Sequence, residues 1–394
     1  MQKKIMILGA GIYQVPLIKK AKSKGLEVIV VSPNRGYPGI ELADVYLDID
    51  TVDSDSILDE AKKYSISGIA TTGSDVCLPT LGKVVDALGL SGTGYDAACK
   101  SMDKVLMKQA FMDHGVLNAK FKYFTSKSKA KNYAEHTGYP VMVKATDSSG
   151  SRGISKVNSN SEFDDAWNKA ILVSRSKEII IEEYLRGAEF GAQVFIQNNK
   201  VINIFLHNDT VTTESFYTPI GHSMPKLISA DLQIATIAII EKAVNALGIN
   251  NCISNVDLMI VDNNPVIIEM GARMGATCIP ENISIYSGDD AYDYAIDLAL
   301  GYKRDYIISA KQANASLLLT SNKSGIISAI NIPWQVREHS DLLDLQLDVS
   351  VGDSVNKFKV GPDRIGHIIV KGSNAEDCEK LAEWMASIIN VIVD

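Results

Sequence analysis

Residues 255–276 read NVDLMIVDNNPVIIEMGARMGA, in which two apolar runs flank the polar tripeptide DNN. A three-residue turn there predicts a β-hairpin in which Val261 pairs with Pro265. Asp257 then lies opposite Glu269, with Cβ atoms about 5 Å apart. Two carboxylates that close repel each other unless a proton or a cation lies between them, and Mg²⁺ is the usual cation near phosphates. The hairpin therefore predicts a metal site, with a solvated strand face carrying two unrelated acids as the alternative.

A polar loop, TDSSGSRG at 146–153, follows a predicted strand over 139–145 that carries Lys144 near its end. Small residues let backbone N–H groups approach phosphate oxygens, the serine hydroxyls add donors, and Lys144 and Arg152 add positive charge. No Walker motif is present. The loop indicates phosphate binding, and a mobile surface turn is an equally good interpretation.

The segment 179–190, IIIEEYLRGAEF, is an apolar strand that ends in acids and restarts after Gly187. A hinge of this kind exposes backbone donors and acceptors beside an apolar wall, which suits the edge of an adenine base. Ordinary surface charge at Glu182 and Glu183 is the alternative.

The first hundred residues alternate short β-branched runs with amphipathic stretches, which predicts a Rossmann-like parallel sheet with helices on its faces. Gly9 and Gly11 follow the first run, but Gln14 stands where the dinucleotide motif GxGxxG requires its third glycine. No acid ends the second run to hold a ribose. These features argue against NAD binding and favour a tight strand-to-helix turn.

Hydrophobic periodicity predicts the remaining elements, including a helix over 101–114 that Ser101 caps. The predicted helices are 16–24, 54–64, 76–88, 101–114, 126–137, 162–173, 232–247, 291–300 and 375–389. The predicted strands are 4–8, 27–31, 68–72, 120–124, 139–145, 154–157, 178–182, 189–197, 200–207, 253–261, 266–270, 314–319, 326–330, 358–360 and 364–370.

Composition excludes several classes of protein. At about 150 residues per domain, 394 residues predict two or three domains. The net charge of -8 gives no counterion-release affinity for nucleic acid, so neither nucleic acid nor an anionic membrane is an expected partner. No apolar run approaches the length of a membrane helix or a signal-peptide core, which predicts a cytoplasmic protein. The five cysteines form no CxxC pair and the six histidines show no metal-ligand spacing such as HExxH.

Four motifs, taken in order, resemble those of the ATP-grasp ligases: MDK at 102–104, VMVKATDSSGSRGI at 141–154, IIIEEYLRGAEF at 179–190, and the hairpin 255–276. The resemblance covers roughly residues 1–300. It implies a mixed α/β and α+β fold with a Rossmann-like domain at 1–100 and an ATP-grasp core at 101–304, whose mobile lid spans about 120–183. Residues 305–394 resemble the small C-terminal α+β domain of the carboxylate–amine or L-amino-acid ligase branch.

The resemblance also implies roles for individual residues. Those implied to bind ATP are Lys104, Lys144, Ser148, Ser149, Gly150, Ser151, Gly153, Glu182, Glu183, Tyr184, Leu185 and Glu189. The two lysines would hold phosphates, the serine–glycine loop would close over the γ-phosphate, and the hinge and Glu189 would bind adenine and ribose. Asp257 and Glu269 would bind Mg²⁺, for which Mn²⁺ is a substitute. Arg273, with Lys144, would be catalytic.

Gly271 departs from the common family pattern, in which an asparagine follows the second metal acid by two positions. The departure argues against a second fully coordinated Mg²⁺. The spacing of Glu269, Gly271 and Arg273 is similar to that of amino-acid ligases rather than biotin carboxylase. The segment 221–225, which contains His222, resembles one near the substrate, and an ordinary turn is the alternative. His222, Arg273 and Gly275 are the residues implied to contact substrate.

The implied reaction forms an amide or peptide bond from a small, amino-acid-like carboxylate and an amine. ATP would convert the carboxylate to an acyl phosphate, which the amine attacks, releasing ADP and phosphate. The alternatives are a bicarbonate- or formate-activating ligase of the purine-biosynthesis or biotin-carboxylase type, a catalytically inactive ATP-binding regulatory protein and, third, a nicotinamide oxidoreductase. The resemblance also suggests a homodimer.

Overall fold

The computed structural model describes residues 2–148, 150, 152–212 and 218–394, which divide into two units. The first unit contains the described residues up to Ile204 together with Ile228–Met274 and Ala295–Lys303. The second contains those within Phe205–Leu227, Gly275–Tyr294 and Arg304–Asp394. The three-domain division implied by the family resemblance stays a prediction.

A four-stranded parallel sheet opens the first unit, in the order β3-β2-β1-β4. Its strands are β1 (Lys4–Leu8), β2 (Glu27–Val31), β3 (Val45–Leu47) and β4 (Gly68–Ala70), and its helices are α1 (Val15–Ser23), α2 (Ser54–Tyr64) and α3 (Leu78–Leu88). β1 and β2 are almost wholly buried, as expected of apolar strands that lie under helices. The predicted Rossmann-like sheet is confirmed.

The side chain of Gln14 closes the turn after β1. Its Oε1 accepts a hydrogen bond from the Gly11 amide at 2.9 Å, and its Nε2 donates to the carbonyl of Thr72. The Gly11 amide, which a dinucleotide phosphate would need, is therefore already bonded within the protein.

Two helices occupy the region for which the sequence predicted one over 101–114. These are α4 (Tyr95–Met102) and α5 (Lys104–Asp113), so the prediction of Ser101 as a cap is wrong. Ser101 is buried in the last turn of α4, and Asp103 breaks the helix with an extended backbone. The Asp103 carboxylate accepts the N–H groups two and three residues further on, both at 2.9 Å, and so caps α5. Lys104 is the first residue of α5.

The next elements form an antiparallel sheet with the order β5-β8-β6-β7. Its strands are β5 (Phe121–Phe124), β6 (Val141–Ala145), β7 (Ile154–Val157) and β8 (Ile179–Glu183), and the helices between them are α6 (Lys127–Thr137) and α7 (Asn160–Val173). Phe163 and Trp167 of α7 pack with the buried residues of β6 and β8 in a core of their own. This core fixes the positions of Lys144 on β6 and Glu182 on β8.

Five strands and one helix follow. The strands are β9 (Ala188–Gln197), β10 (Lys200–Val211), β11 (Pro219–Met224), β12 (Cys252–Val261) and β13 (Asn264–Gly271), and the helix is α8 (Ala230–Leu247). In the first unit β12 pairs with both β9 and β13.

The β12–β13 hairpin confirms one predicted pairing and corrects another. Its turn has two residues, Asp262 and Asn263, both with positive φ, so Val261 pairs with Asn264 and not with Pro265. A β-bulge next to Asp257 then shifts the register by one residue. Asp257 therefore lies opposite Glu269, as predicted, but because of a two-residue turn and a bulge instead of a three-residue turn.

The second unit contains one sheet with the order β10-β11-β14-β18-β16 and another with the order β17-β15-β19. The remaining elements are α9 (Ile279–Ser287), α10 (Ala291–Ala299), β14 (Asn314–Leu319), β15 (Gly325–Asn331), α11 (Trp334–Arg337), β16 (Leu342–Leu347), β17 (Ser354–Val355), β18 (Gly366–Lys371), α12 (Ala375–Ile388) and β19 (Asn390–Val393). The residues of α10 from Ala295 onward belong to the first unit. The predicted strand at 358–360 is wrong, since those residues form a bend.

None of the described helices is long and apolar enough to cross a bilayer. The cytoplasmic location stays a prediction from the sequence.

We expect Asp103→Ala to lower the free energy of unfolding by about 1 kcal/mol, because α5 loses its cap. Urea denaturation measures the change. Asp103→Asn keeps an accepting oxygen and serves as the control, with a much smaller loss. An alanine variant as stable as the wild type contradicts the capping role.

Candidate active site

Two lysines of the first unit are buried against carboxylates. Lys104 is 3 % exposed, and its Nζ donates to the Ser148 carbonyl at 2.8 Å and to Glu269 Oε1 at 3.0 Å. Lys144 is 6 % exposed and donates to Glu182 Oε2 at 2.9 Å. The structure therefore places both lysines predicted from the motifs in a buried, charged cluster.

The register of β6 against β8 explains the pairing of Lys144 with Glu182. Glu182 lies opposite Met142 on β6, so Lys144, two residues along the same strand, projects from the same face as a diagonal neighbour. Burial alone favours the neutral acid. The ammonium groups of Lys108 and Lys144 outweigh burial and hold the pKa of Glu182 below its usual value.

The predicted phosphate loop starts beside this cluster. Ser148 Oγ donates to the Arg152 carbonyl at 2.7 Å, which draws the two ends of the loop together. Gly150 and Gly153 have positive φ. The other two predicted loop residues, Ser149 and Ser151, lie outside the described residues.

The hinge residues have mixed surroundings. Glu183 Oε1 accepts the amide of Lys120 at 2.8 Å, so this acid ties β8 to β5. Tyr184 lies with its ring 4.1 Å from Lys156 Nζ. Leu185 is half-buried, and Glu189 is exposed near the start of β9. Gly187 approaches the Ile260 carbonyl so closely that a Cβ would collide with it, which explains the glycine.

The two hairpin acids form a set of oxygen donors. Asp257 and Glu269 are direct cross-strand partners, so their Cβ atoms are about 5 Å apart. Asn255 Nδ2 donates to Asp257 Oδ1 at 3.0 Å, while Lys104 holds Glu269. Carboxylate oxygens are the donors that Mg²⁺ prefers in proteins, so these residues fit a magnesium ion.

Arg273 is held by an acid that the sequence analysis did not select. Its Nε lies 2.7 Å from Asp75 Oδ1, and its Nη2 donates to Asp75 Oδ2 at 2.8 Å, a bidentate pair. A Cβ at Gly271 would lie 2.9 Å from Asp75 Oδ1. The Asp75 carboxylate therefore lies next to the position where the common family pattern has an asparagine.

In the second unit His222 belongs to a buried cluster with His207 and Asp209. Both imidazoles place Nδ1 against Asp209 Oδ1, at 2.8 Å for His207 and 2.6 Å for His222. Each of the three residues offers one ligand atom, and these atoms lie within 4.8 Å of one another, a spacing at which the group could hold a metal ion. Gly275, the third residue implied to contact substrate, also belongs to the second unit.

Asp209 fixes the tautomers of both histidines. Burial opposes its charge, but His207 and His222 outweigh burial and hold the pKa of Asp209 far below its usual value. An ionised carboxylate only accepts hydrogen bonds, so both Nδ1 atoms carry protons. Each Nε2 is buried and has no hydrogen-bond partner in the described part of the chain.

Two family models match the chain. Residues 137–281 match the ATP-grasp domain, and residues 317–394 match the L-amino acid ligase C-terminal domain 2. The solved structure of phosphoribosylglycinamide synthetase from Anaerococcus prevotii is 30% identical, with a TM-score of 0.82 over 100% of both chains. The chain belongs to the ATP-grasp family. The predicted family, mixed α/β fold and ligase class are thereby confirmed.

The chain is also similar to other ATP-grasp proteins. L-amino acid ligase from Bacillus licheniformis shares the fold with a TM-score of 0.86 at 17% identity, covering 100% of this chain and 99% of that one. Alanine–anticapsin ligase from Bacillus subtilis (strain 168) is 24% identical over 268 residues, which cover 62% of this chain. The chain spans 56% of the length of that relative.

Four residues near the candidate sites of this ATP-grasp protein were not predicted from its sequence. Lys108 follows Lys104 by one helical turn, so the four-residue spacing could have indicated a shared face. His207 and Asp209 are two residues apart on β10, and alternation puts them on one face. Asp75 follows β4 in a loop, and no local pattern relates it to Arg273.

The free energy of unfolding of this ATP-grasp chain should depend on pH near neutrality, chiefly through His222. Burial outweighs the Asp209 hydrogen bond and holds the pKa of His222 below its ordinary 6.5. The unfolded chain then binds the proton more readily than the folded chain. The contribution of neutral His222 to the free energy of unfolding is fully present above about pH 6.5. It is lost as the pH falls toward the lower pKa that His222 has in the folded chain.

We therefore expect the free energy of unfolding to fall between about pH 7.5 and 5.5, as measured by urea denaturation. His222→Asn should flatten this slope, and replacing the exposed His136 with Asn is the control that should not. An equal slope in wild type and His222→Asn contradicts the assignment.

Proposed function

We propose that this protein is an ATP-dependent carboxylate–amine ligase that joins amino-acid-like substrates through an acyl phosphate, with ATP and Mg²⁺. The observation that carries the proposal is a combination within one chain. The first unit gathers buried lysines, opposed acids and a paired arginine, and residues 317–394 match the L-amino acid ligase C-terminal domain.

The lysine–carboxylate pairs supply a physical account of nucleotide binding. Lys104 and Lys144 are held in place and oriented by hydrogen bonds to Glu269 and Glu182 before any phosphate arrives. Bound Mg²⁺ neutralises phosphate charge during transfer. Asp257 and Glu269 would hold this ion, and Lys104 would turn from Glu269 to a phosphate oxygen. Lys144 turns to the phosphate in the same way, while the loop from Ser148 to Gly153 excludes water.

Phosphorylation solves the chemical problem of the carboxylate, whose charge repels nucleophiles and which lacks a leaving group. The acyl phosphate has a more electrophilic carbonyl and a good leaving group, and it must be kept from water. Arg273, fixed by Asp75, is proposed to stabilise charge on the oxyanion or on the departing phosphate.

His222 is proposed to contact the substrate. Its Nδ1 proton is committed to Asp209, and its Nε2 is left as an acceptor. A neutral imidazole of this kind can accept a hydrogen bond from an amine or an ammonium group. Burial, which keeps His222 neutral, supports this role.

A purine-biosynthesis-type ligase is the second candidate. The observation that favours it is the 30% identity to phosphoribosylglycinamide synthetase over the whole of both chains. The two candidates differ in the amine, which is an amino acid in one and a phosphoribosylated amine in the other.

A phosphate-release assay with ATP, Mg²⁺ and a panel of amino-acid pairs tests the proposal, followed by mass determination of the condensed product. Turnover that requires two amino acids supports it. Turnover only with phosphoribosylamine and glycine favours the second candidate, and bicarbonate- or formate-dependent ADP release favours the carboxylase-type alternative. Tight ATP binding with no turnover under any pairing indicates a regulatory protein. Light scattering tests the expected homodimer.

Glu269→Gln should abolish turnover while leaving the fold intact, because the amide keeps the shape of the carboxylate but loses its charge. The steady-state rate of ADP formation is the measurement, and circular dichroism checks the fold. Glu376→Gln, on an exposed position of α12, is the matched control and should retain full activity. Unchanged Mg²⁺-dependent turnover in Glu269→Gln would refute the metal assignment.

A further inference from the structure

Lys108 is a buried ammonium group to which the proposed reaction gives no role. It is 1 % exposed and lies one turn after Lys104 on α5. Its Nζ makes no hydrogen bond to any described residue, although it lies 3.5 Å from Glu182 Oε2 and 5.9 Å from the centre of the Phe121 ring. A buried, incompletely paired charge is costly, so its presence calls for a physical reason.

Glu182 has two cations at a single oxygen. Lys144 donates to Oε2 at 2.9 Å and Lys108 lies 3.5 Å from the same atom, while Oε1 is buried and has no partner in the described residues. One ammonium group is enough to balance one carboxylate. The second cation is therefore in excess until Lys144 is needed elsewhere.

We propose that Lys108 is a positioning residue that takes over Glu182 when Lys144 turns to the phosphate of a nucleotide. The inference rests on the proposed function, because it requires that Lys144 bind a nucleotide phosphate. Glu182 alone, 2 % exposed, would become an uncompensated buried anion on the departure of Lys144. A small movement of Lys108 forms the hydrogen bond that Lys144 gives up.

The placement of Lys108 suits this exchange. It comes from α5, whereas Lys144 comes from β6, so one cation can stay while the other moves. The side chain that remains keeps Glu182 ionised and fixed on β8. Nucleotide binding is then less costly than it would be with a single lysine.

The test is ADP binding by calorimetry in the presence of Mg²⁺, with the whole 394-residue chain. Lys108→Met keeps the length of the side chain and removes its charge, and we expect the dissociation constant for ADP to rise at least about tenfold. Without nucleotide, Glu182 keeps Lys144, so the melting temperature should be unchanged or higher. Lys100→Met removes a partly exposed lysine of α4 and should bind ADP as the wild type does.

A double-mutant cycle separates positioning from a direct or merely structural role. In Glu182→Gln there is no anion to balance, so adding Lys108→Met should change ADP affinity less than about twofold. An equal loss in both backgrounds overturns the inference, as does wild-type affinity in Lys108→Met. A large drop in the melting temperature of Lys108→Met without nucleotide also overturns it. Failure of the wild type to bind ADP overturns the proposed function itself.

Discussion

The pairing of buried lysines with buried carboxylates is the constraint on which the candidate site depends. Lys104 at the start of α5 contacts Glu269 on β13, and Lys144 on β6 contacts Glu182 on β8, so elements that are distant in sequence meet at charged groups. A buried charge is tolerated only when an opposite charge is held near it. The hydrophobic core under β6 and β8 and the cap of α5 hold these opposite charges at hydrogen-bonding distance from each other.

The same constraint explains why the hairpin register matters. A slip of one residue would turn Glu269 to the opposite face of the strand and leave Lys104 without its partner. The two-residue turn by itself gives such a slip relative to the predicted register, and the bulge beside Asp257 reverses it. The local irregularity is therefore part of how the site is built.

Sequence reasoning reached the parts of this molecule that local patterns encode. Periodicity of two and of 3.6 residues located most strands and helices, and the alternation along β12 and β13 put Asp257 opposite Glu269. It failed where two local rules competed, as at Ser101 and Asp103, both good capping residues. It also failed where the partners are distant in sequence, as for Asp75 with Arg273, because no local pattern encodes a pairing across 198 positions.

Gly271 has a consequence for how this site responds to substitution. The carboxylate of Asp75 lies so close to Gly271 that even a methyl group would press on it. A larger residue at 271 would have to displace the Asp75 carboxylate, because a Cβ there would lie 2.9 Å from Asp75 Oδ1. Loss of the Asp75 carboxylate in turn releases Arg273. A substitution at 271 therefore also acts on Arg273, through the carboxylate of Asp75.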